Sequence, residues 1–393
     1  MRFPEFSGEW RHVALSEIAA RVTRKNKDNA SQLPLTISAQ YGLVDQISFF
    51  NKVVASADMS NYYLLRQGEF AYNKSYSSDY PWGAIKRLDR YPQGALSSLY
   101  ICFAVNDKVD SDLAVHYFES SKWHREVSNI AGEGARNHGL LNIAVGDFFD
   151  TKHRLPSCKE EQKKIAALLN LITDRIATQI KIIEDLKKLK NAISNKLFSR
   201  KDLLETSISL SEIASLKNGY AFQSSTYNPA GHYKIITIAN VSGARYIDTN
   251  SCNSIINIPN DIQEHQILGE GDILISLTGN VGRVSLCLAG NYLLNQRVGL
   301  LQLALDVDRE YVYQALSCKR FEQAMIACGQ GAAQMNIGKG DIENYRIPYS
   351  FNQHNLKLIA ATLNACDDII SVETSKLTSL QLQKQYLLAQ MFI

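Results

Sequence analysis

The chain is one unit written twice, and this duplication constrains its fold more than any other feature. Leu15-Ser16-Glu17-Ile18-Ala19 recurs as Leu210-Ser211-Glu212-Ile213-Ala214. Asn142-Ile143-x-x-Gly146-Asp147 recurs as Asn336-Ile337-x-x-Gly340-Asp341. Leu155-Pro156 is matched by Ile347-Pro348, and Ile165-Ala166-Ala167-x-Leu169-Asn170 by Ile359-Ala360-Ala361-x-Leu363-Asn364. The order is the same in both halves and the spacing is nearly constant. One shared pentapeptide arises easily by chance, but an ordered series does not.

Each unit has two parts. The first contains short strand-like runs, such as Tyr100–Val105 and Asp272–Leu277, punctuated by Gly, Asn and Ser. The second is a long helix that can begin once Pro156 or Pro348 has ended the extended segment. In the first helix Ile165, Leu169, Ile172, Ile176, Gln179, Ile183, Leu186, Lys190, Ile193 and Leu197 alternate by four and three residues. That spacing is a heptad seam. In the second helix the equivalent seam is Ile359, Leu363, Cys366, Ile370, Glu373, Leu377, Leu380, Lys384, Leu387 and Met391. The polar exceptions are equivalent, Gln179 with Glu373 and Lys190 with Lys384, and polar seam residues can fix register.

Chain order then sets the topology. The first helix leaves domain one and delivers the chain to domain two, and the second starts at domain two, so helices paired along their seams run antiparallel. We expect an α+β fold, with two pseudo-symmetric α/β domains at residues 1–153 and 201–346. They are separated by long helices at 154–200 and 347–393 that form an antiparallel coiled coil. A seam from Ile165 to Leu197 measures about 48 Å at ~1.5 Å per residue. A turn of DNA is about 34–36 Å, so such a rod can hold two readers somewhat over one turn apart.

Composition removes several function classes. No apolar run approaches the ~20 residues of a membrane span, and the opening residues lack the apolar core of a signal peptide, so a cytoplasmic protein is expected. Seven cysteines without a CxxC pair suit neither a disulfide framework nor a zinc site, and no HExxH occurs. The formal net charge is only +3, but the charge is uneven. Residues 151–201 hold 13 Lys/Arg against 5 Asp/Glu, whereas 1–150 hold 16 against 17 and 202–345 hold 9 against 14. Nucleic-acid contact would have to come from local clusters and the basic segment.

With these features together, the chain resembles the specificity (S) subunit of Type I restriction–modification systems. The segments KNGYAF at 217–222, ITIAN at 236–240, GEGDILISLTGNVGR at 269–283 and QGAAQMNIGKGDIENYRIP at 330–348 read like one of that family's target-recognition domains. The first half is similar but more divergent. Its counterpart of GEGDILIS is Gln67–Lys74, and it opens with Trp10-x-x-x-x-Leu15, for which we match Ser207 in the second copy. The resemblance implies that each domain reads one half of a split double-stranded DNA target. The helices would fix the gap and dock two modification (M) subunits. Those carry S-adenosylmethionine and methylate adenine N6, while restriction (R) motor subunits join the complex. This chain would bind no cofactor of its own.

The chain's motifs agree with a non-catalytic part. Asn228-Pro229-Ala230 lacks the second proline and the aromatic of an amino-methyltransferase element, and Gly338-Lys339 lacks the glycine spacing of a phosphate loop. Gly132-Glu133-Gly134 and Gly269-Glu270-Gly271 suit turns, and Asp367-Asp368 suits a helix start. A reader needs phosphate contacts for position and base-edge contacts for sequence. Arg and Lys suit guanine, whereas Asn and Gln suit adenine. In domain one the candidate DNA-binding residues are Arg24, Lys25 and Lys27, then Asn73, Lys74 and Tyr76, Trp82 with Lys86 and Arg87, and Arg136 with Asn137. In domain two they are Lys217, Asn218 and Tyr220, then Ser276, Thr278, Asn280 and Arg283, Gln296 with Arg297, and Gln334. Taken singly, each is also an ordinary solvated loop side chain.

Lys163, Lys164, Lys181, Lys187 and Lys188 are either a solvated face or non-specific phosphate contacts. Leu168, Ile182 and Leu189 lie outside the seam and suit partner docking. The alternative to a DNA reader is a duplicated coiled-coil scaffold that binds without sequence preference.

Overall fold

A computed structural model describes residues 2–77, 79–132, 139–329 and 335–392. It divides into two units, Met1–Ile180 with Lys376–Ile393, and Lys181–Ser375.

In the first unit β1 (Arg11–Ala14) pairs antiparallel with β10 (Lys152–Leu155). The central sheet has the order β2 (Ala19–Arg21), β9 (Ile101–Val105), β6 (Phe70–Asn73), β7 (Ala84–Arg87). Beside it lie two ladders, β3 (Leu35–Ser38) with β4 (Gly42–Asp45), and β5 (Tyr63–Arg66) with β8 (Gln93–Leu96). A parallel bridge from Pro34 to Ala95 joins them.

The second unit repeats this plan. There β11 (Thr206–Ser209) pairs antiparallel with β20 (Arg346–Tyr349). Its central sheet runs β12 (Ala214–Asn218), β19 (Val298–Leu303), β16 (Ile273–Ser276), β17 (Val284–Leu286). A second sheet runs β14 (Asn253–Ile255), β13 (Tyr233–Ile236), β18 (Tyr292–Leu294), β15 (Ile267–Leu268), with β13 and β18 parallel. The two ladders and their bridge in unit one are the same sheet with its middle pairing reduced to one residue pair.

The central strands are continuous apolar runs because both of their faces are covered. Ile273 and Ile275 enter the core that includes Ile347 and Ile359, while Leu274 enters a core with Val241 and Leu294. Phe70 and Tyr72 likewise face a core with Leu113 and Leu169, while Ala71 faces Leu35 and Leu65. The first of these is largely aromatic. Phe70 stacks on Phe103 at 5.3 Å, and Tyr72 on Phe148 at 4.9 Å. Each such fully buried ring contributes roughly 1.5–3 kcal/mol.

The long helices are Lys159–Phe198 and Gln353–Met391. Every seam residue, polar ones included, is buried or half-buried. In unit one the start of the first helix and the end of the second enter one core, through Ile165 and Leu169 and through Leu388 and Met391. In unit two Ile193 and Leu197 pack on the core that holds Leu356, Ile359 and Leu363, and Lys190 bonds Asp367. Going towards the domain raises the number on one helix and lowers it on the other, so the paired segments are antiparallel.

Three expectations are corrected. Asp367-Asp368 does not start a helix, because the helix begins at Gln353 and Asp367 lies mid-helix among cations. Leu168 is not a free apolar residue, because it packs on the unit-one core. The place of Trp10, one residue before β1, is held in the second half by Glu205, one before β11; Ser207 is inside that strand. The Trp10 indole donates to Glu161, whereas the Glu205 carboxylate accepts from the Phe351 amide.

Candidate nucleic-acid interface

Four strands in each unit bring the same end of the central sheet together. In unit two this end is the close of β12, the start of β19, the close of β16 and the start of β17. The β16–β17 turn is clasped by the segment that begins the repeated Asn-Ile motif. Gly279 N donates to Met335 O at 3.0 Å and Ile337 N to Leu277 O at 2.9 Å. Unit one clasps its β6–β7 loop in the same way, with Tyr76 N to Gly139 O at 2.7 Å and Leu141 N to Lys74 O at 2.9 Å. Gly83 closes that loop at φ +76°, and a β-carbon there would lie 2.1 Å from Asn73 O. Only glycine meets both demands.

The unit-two tip gathers most of the sequence candidates of domain two. Asn218 ends β12, and its carbonyl accepts from His265 Nε2 at 3.1 Å and Gln266 Nε2 at 3.3 Å. Tyr220 bridges to Asn295, meets the Phe222 ring at a tilt with centroids 4.9 Å apart and donates its hydroxyl to Asp261 at 2.8 Å. That bond holds the phenol above its ordinary pKa. Arg297 O accepts from Leu277 N at 3.0 Å, which pins the Gln296–Arg297 turn beside the β16 end. Asn280, Gln296 and Arg297 are exposed, and their side chains have no partner among the described residues. Lys217 is half-buried and equally unpaired. Thr278 Oγ1 donates to Asn336 Oδ1 at 3.3 Å, and Arg283 lies 3.5 Å from Glu322. Ser276 is a correction: it is fully buried, and its hydroxyl donates to the Asn280 carbonyl, shaping the turn rather than facing solvent.

The unit-one tip carries Asn73, Lys74, Tyr76 and Trp82. Asn73 Oδ1 accepts from Ser75 N at 3.0 Å, and Lys74 Nζ donates to Ile143 O at 3.3 Å. Tyr76 is 58% exposed, and Trp82 is half-buried against the aromatic core. The other candidates lie elsewhere. Arg24 binds Glu69, and Lys25 donates to Asn61 O at 2.8 Å while covering the Tyr63 ring at 4.4 Å. Lys27 is exposed, without a side-chain partner among the described residues. The grouping of Lys86 and Arg87 with Trp82 is corrected, because these two are committed to carboxylates behind the sheet. Lys86 lies 3.7 Å from Glu119, with burial lowering its pKa. Arg87 pairs with Asp89 at 2.6 Å and Asp112 at 2.8 Å, at the far end of β7. Arg136, Asn137 and Gln334 lie outside the described residues.

On the helices, Lys164 pairs with Glu5 over the Phe3 ring, and Lys188 with Asp185, while Lys163, Lys181 and Lys187 are exposed. Ile182 and Leu189 are 41% and 56% exposed. Among the described residues no cluster of His, Cys, Asp and Glu has the makings of a metal site, and no helix is long and apolar enough to cross a membrane. Sequence reasoning missed Asn295, His265 and Gln266, which converge on this tip from distant positions. Asn336 was signalled by the repeat but not singled out. Among the described residues, the side chains left free at the unit-two tip are amides, a guanidinium and the Lys217 ammonium, types that read base edges or phosphates.

Residues 205–382 match the Type I restriction modification DNA specificity domain. The chain is 24% identical over 319 residues to the Type I restriction enzyme MjaVIII specificity subunit of Methanocaldococcus jannaschii, covering 75% of this chain and 72% of that one. Its fold is similar to a chain from a structural study of complex assembly and conformational transition in the type I R-M system, with TM-score 0.59, 17% identity and coverage of 99% and 98%. It is also similar to the crystal structure of the Type-I restriction-modification system S subunit from M. genitalium, with TM-score 0.58, 16% identity and coverage of 100% and 99%.

Proposed function

We propose that the chain is a specificity subunit of a Type I restriction–modification system, which reads a bipartite DNA target and does no chemistry on it. Each domain reads one half-site in double-stranded DNA through the tip of its central sheet. The long helices fix the gap between half-sites and dock two modification subunits, which bring S-adenosylmethionine and methylate adenine N6. Restriction subunits join through that complex, and the setting is the cytoplasm. The observation that carries this reading is the duplicated tip, the same clasped loop in both units, with Asn280, Gln296 and Arg297 unpaired in the second. Phosphate contacts from the exposed helix lysines would add affinity that falls with salt.

The test is a methylome. The chain is expressed with its neighbouring modification subunit in a host lacking both, and N6-methyladenine is mapped across the genome. A split motif with one fixed gap, absent when either chain is omitted, is the expected result. An assembled complex that adds no methylation would favour a scaffold without sequence-specific binding.

A further inference from the structure

The polar seam lysines, Lys190 and Lys384, each end a chain of polar contacts that begins at an arginine. In unit two Arg245 grips Glu310 through both terminal nitrogens at 2.8 Å and donates to Asn364 Oδ1 at 2.7 Å. Gln314 Nε2 links Glu310 at 2.8 Å to Asp367 at 2.7 Å, and Asp367 accepts from Lys190 at 2.6 Å. In unit one Arg87 grips Asp112 at 2.8 Å, and Asp112 accepts from Asn170 at 3.1 Å. Asn170 Oδ1 pairs with His116 Nε2 at 2.7 Å; His116 lies 3.6 Å from Glu119, and Glu119 lies 2.8 Å from Lys384. The residue types are the same in both, an arginine, two acids, an asparagine, a His or Gln and a lysine, but Asn170 joins the first acid to His116, whereas Asn364 is held by Arg245, which also reaches Asp367 at 3.1 Å.

Four of the six members also come from equivalent elements; the arginine is on β7 in unit one but in a loop in unit two, and the second acid is on the short helix in unit one (Glu119) but on the long helix in unit two (Asp367). The first acid and the His or Gln stand one turn apart on the short helix of each domain, Ser111–Glu119 or Arg309–Leu316. The asparagine stands on the helix that leaves that domain, and the lysine on the last turns of the other long helix. Each domain is therefore tied at one junction to both helices of its unit. Leucines in a seam can slide by a heptad at modest cost, but a half-buried lysine that loses its carboxylate is left uncompensated. Lys190 and Lys384 are 16% and 17% exposed, so the penalty is felt.

We propose that Lys190 and Lys384 are positioning residues that set helix register at each domain, and so fix the number of base pairs between half-sites. This rests on the reading above, in which the helices set the gap. Gln179 and Glu373, the other polar seam pair, carry no part of the argument.

The experiment repeats the methylome with Lys190→Met, Lys384→Met and Lys190→Arg, each as full chain with its modification subunit. Methionine keeps length and burial but drops the charge. Wild type gives one gap. Each Met variant is expected to keep both half-site sequences while sites with a gap altered by about three base pairs, the ~10.5 Å length of one heptad, rise about five-fold, the effect of one modest ion pair. Lys190→Arg keeps the single gap. Met variants that assemble and methylate with an unchanged gap overturn the proposal. So does a variant that loses methylation at all gaps equally, because that is loss of fold rather than of register. A wild type that methylates no split motif instead overturns the reading beneath it.

Discussion

Arg24 grips Glu69 with two guanidinium nitrogens, at 2.9 and 3.2 Å, and one of them also reaches the Leu64 carbonyl at 3.0 Å. The sequence offers Arg24 as a DNA contact, yet its charge-bearing face is turned to the protein. Glu69 in turn accepts from the Arg66 amide at 2.8 Å, so the ion pair braces the turn that leads into β6.

Arg24→Met should therefore act on stability. With the arginine side chain 34% exposed, screening trims the loss to about 1 kcal/mol. All three tryptophans, Trp10, Trp82 and Trp123, lie in the first unit, so urea unfolding followed by tryptophan fluorescence isolates it. The half-site sequence read by domain one should not change, and a changed motif at unchanged stability would reverse this assignment.

Arg297→Ala should do the opposite. Its side chain is exposed and unpaired among the described residues, so melting should stay within about 0.5 kcal/mol of wild type. Affinity for the cognate duplex should fall by roughly 1–3 kcal/mol, with relaxed preference at one base of one half-site. Titration against duplexes substituted one base at a time distinguishes this from a phosphate contact, which weakens every duplex alike.

The stability of unit one should fall as pH drops through the histidine range. His153 is 1% exposed, between the Tyr117 hydroxyl at 3.0 Å and the Thr151 hydroxyl at 2.9 Å, with no carboxylate to balance a charge. Burial pushes its pKa down to about 4. An unfolded histidine takes its proton near pH 6.5, so the stabilisation is complete above that pH. It is lost as pH falls towards 4, by on the order of 3 kcal/mol in all. Half-buried His124, also lowered by burial, adds to the same window. Glu119 is different. Although burial opposes it, the contacts from His116, Lys384 and Lys86 hold it well below the usual carboxylate range, so its contribution is lost only in stronger acid. Equal tryptophan-detected stability at pH 7 and pH 5 would contradict this.

Replacing Ile182 and Leu189 with glutamate should abolish capture of the modification subunit while leaving helix content, by circular dichroism, unchanged. Both residues are solvent-exposed apolar groups off the seam. Retention of the partner in a pull-down would remove this face from the docking surface.

What was legible in the sequence was whatever is periodic or local. The seams showed because heptads need no tertiary information, and the central strands because burial on both faces leaves unbroken apolar runs such as Ile273-Leu274-Ile275. Loop chemistry was half legible. A cation such as Arg297 and one such as Arg87 look alike as text. What separates them is Asp112, 25 positions away in the chain and 2.8 Å away in space. Ser276 misled for the same reason, since only the fold shows its hydroxyl closing a turn. Arg245 gave no signal at all, and Asp367 only the misleading one of an acidic pair at a helix start, because a polar junction has no sequence period.

The pairing of β1 with β10, and of β11 with β20, has a consequence for how such a chain can change. Arg11 lies opposite Leu155, and Thr206 opposite Tyr349, so each domain begins and ends on one two-stranded ribbon. Everything between those strands is a closed detour from a fixed pair of anchor points. A detour of another length or sequence can be spliced in without altering where the helices start, provided it returns to the same ribbon and presents the same junction residues. The architecture thus separates what is read from where it is read, and lets one vary while the other stays put.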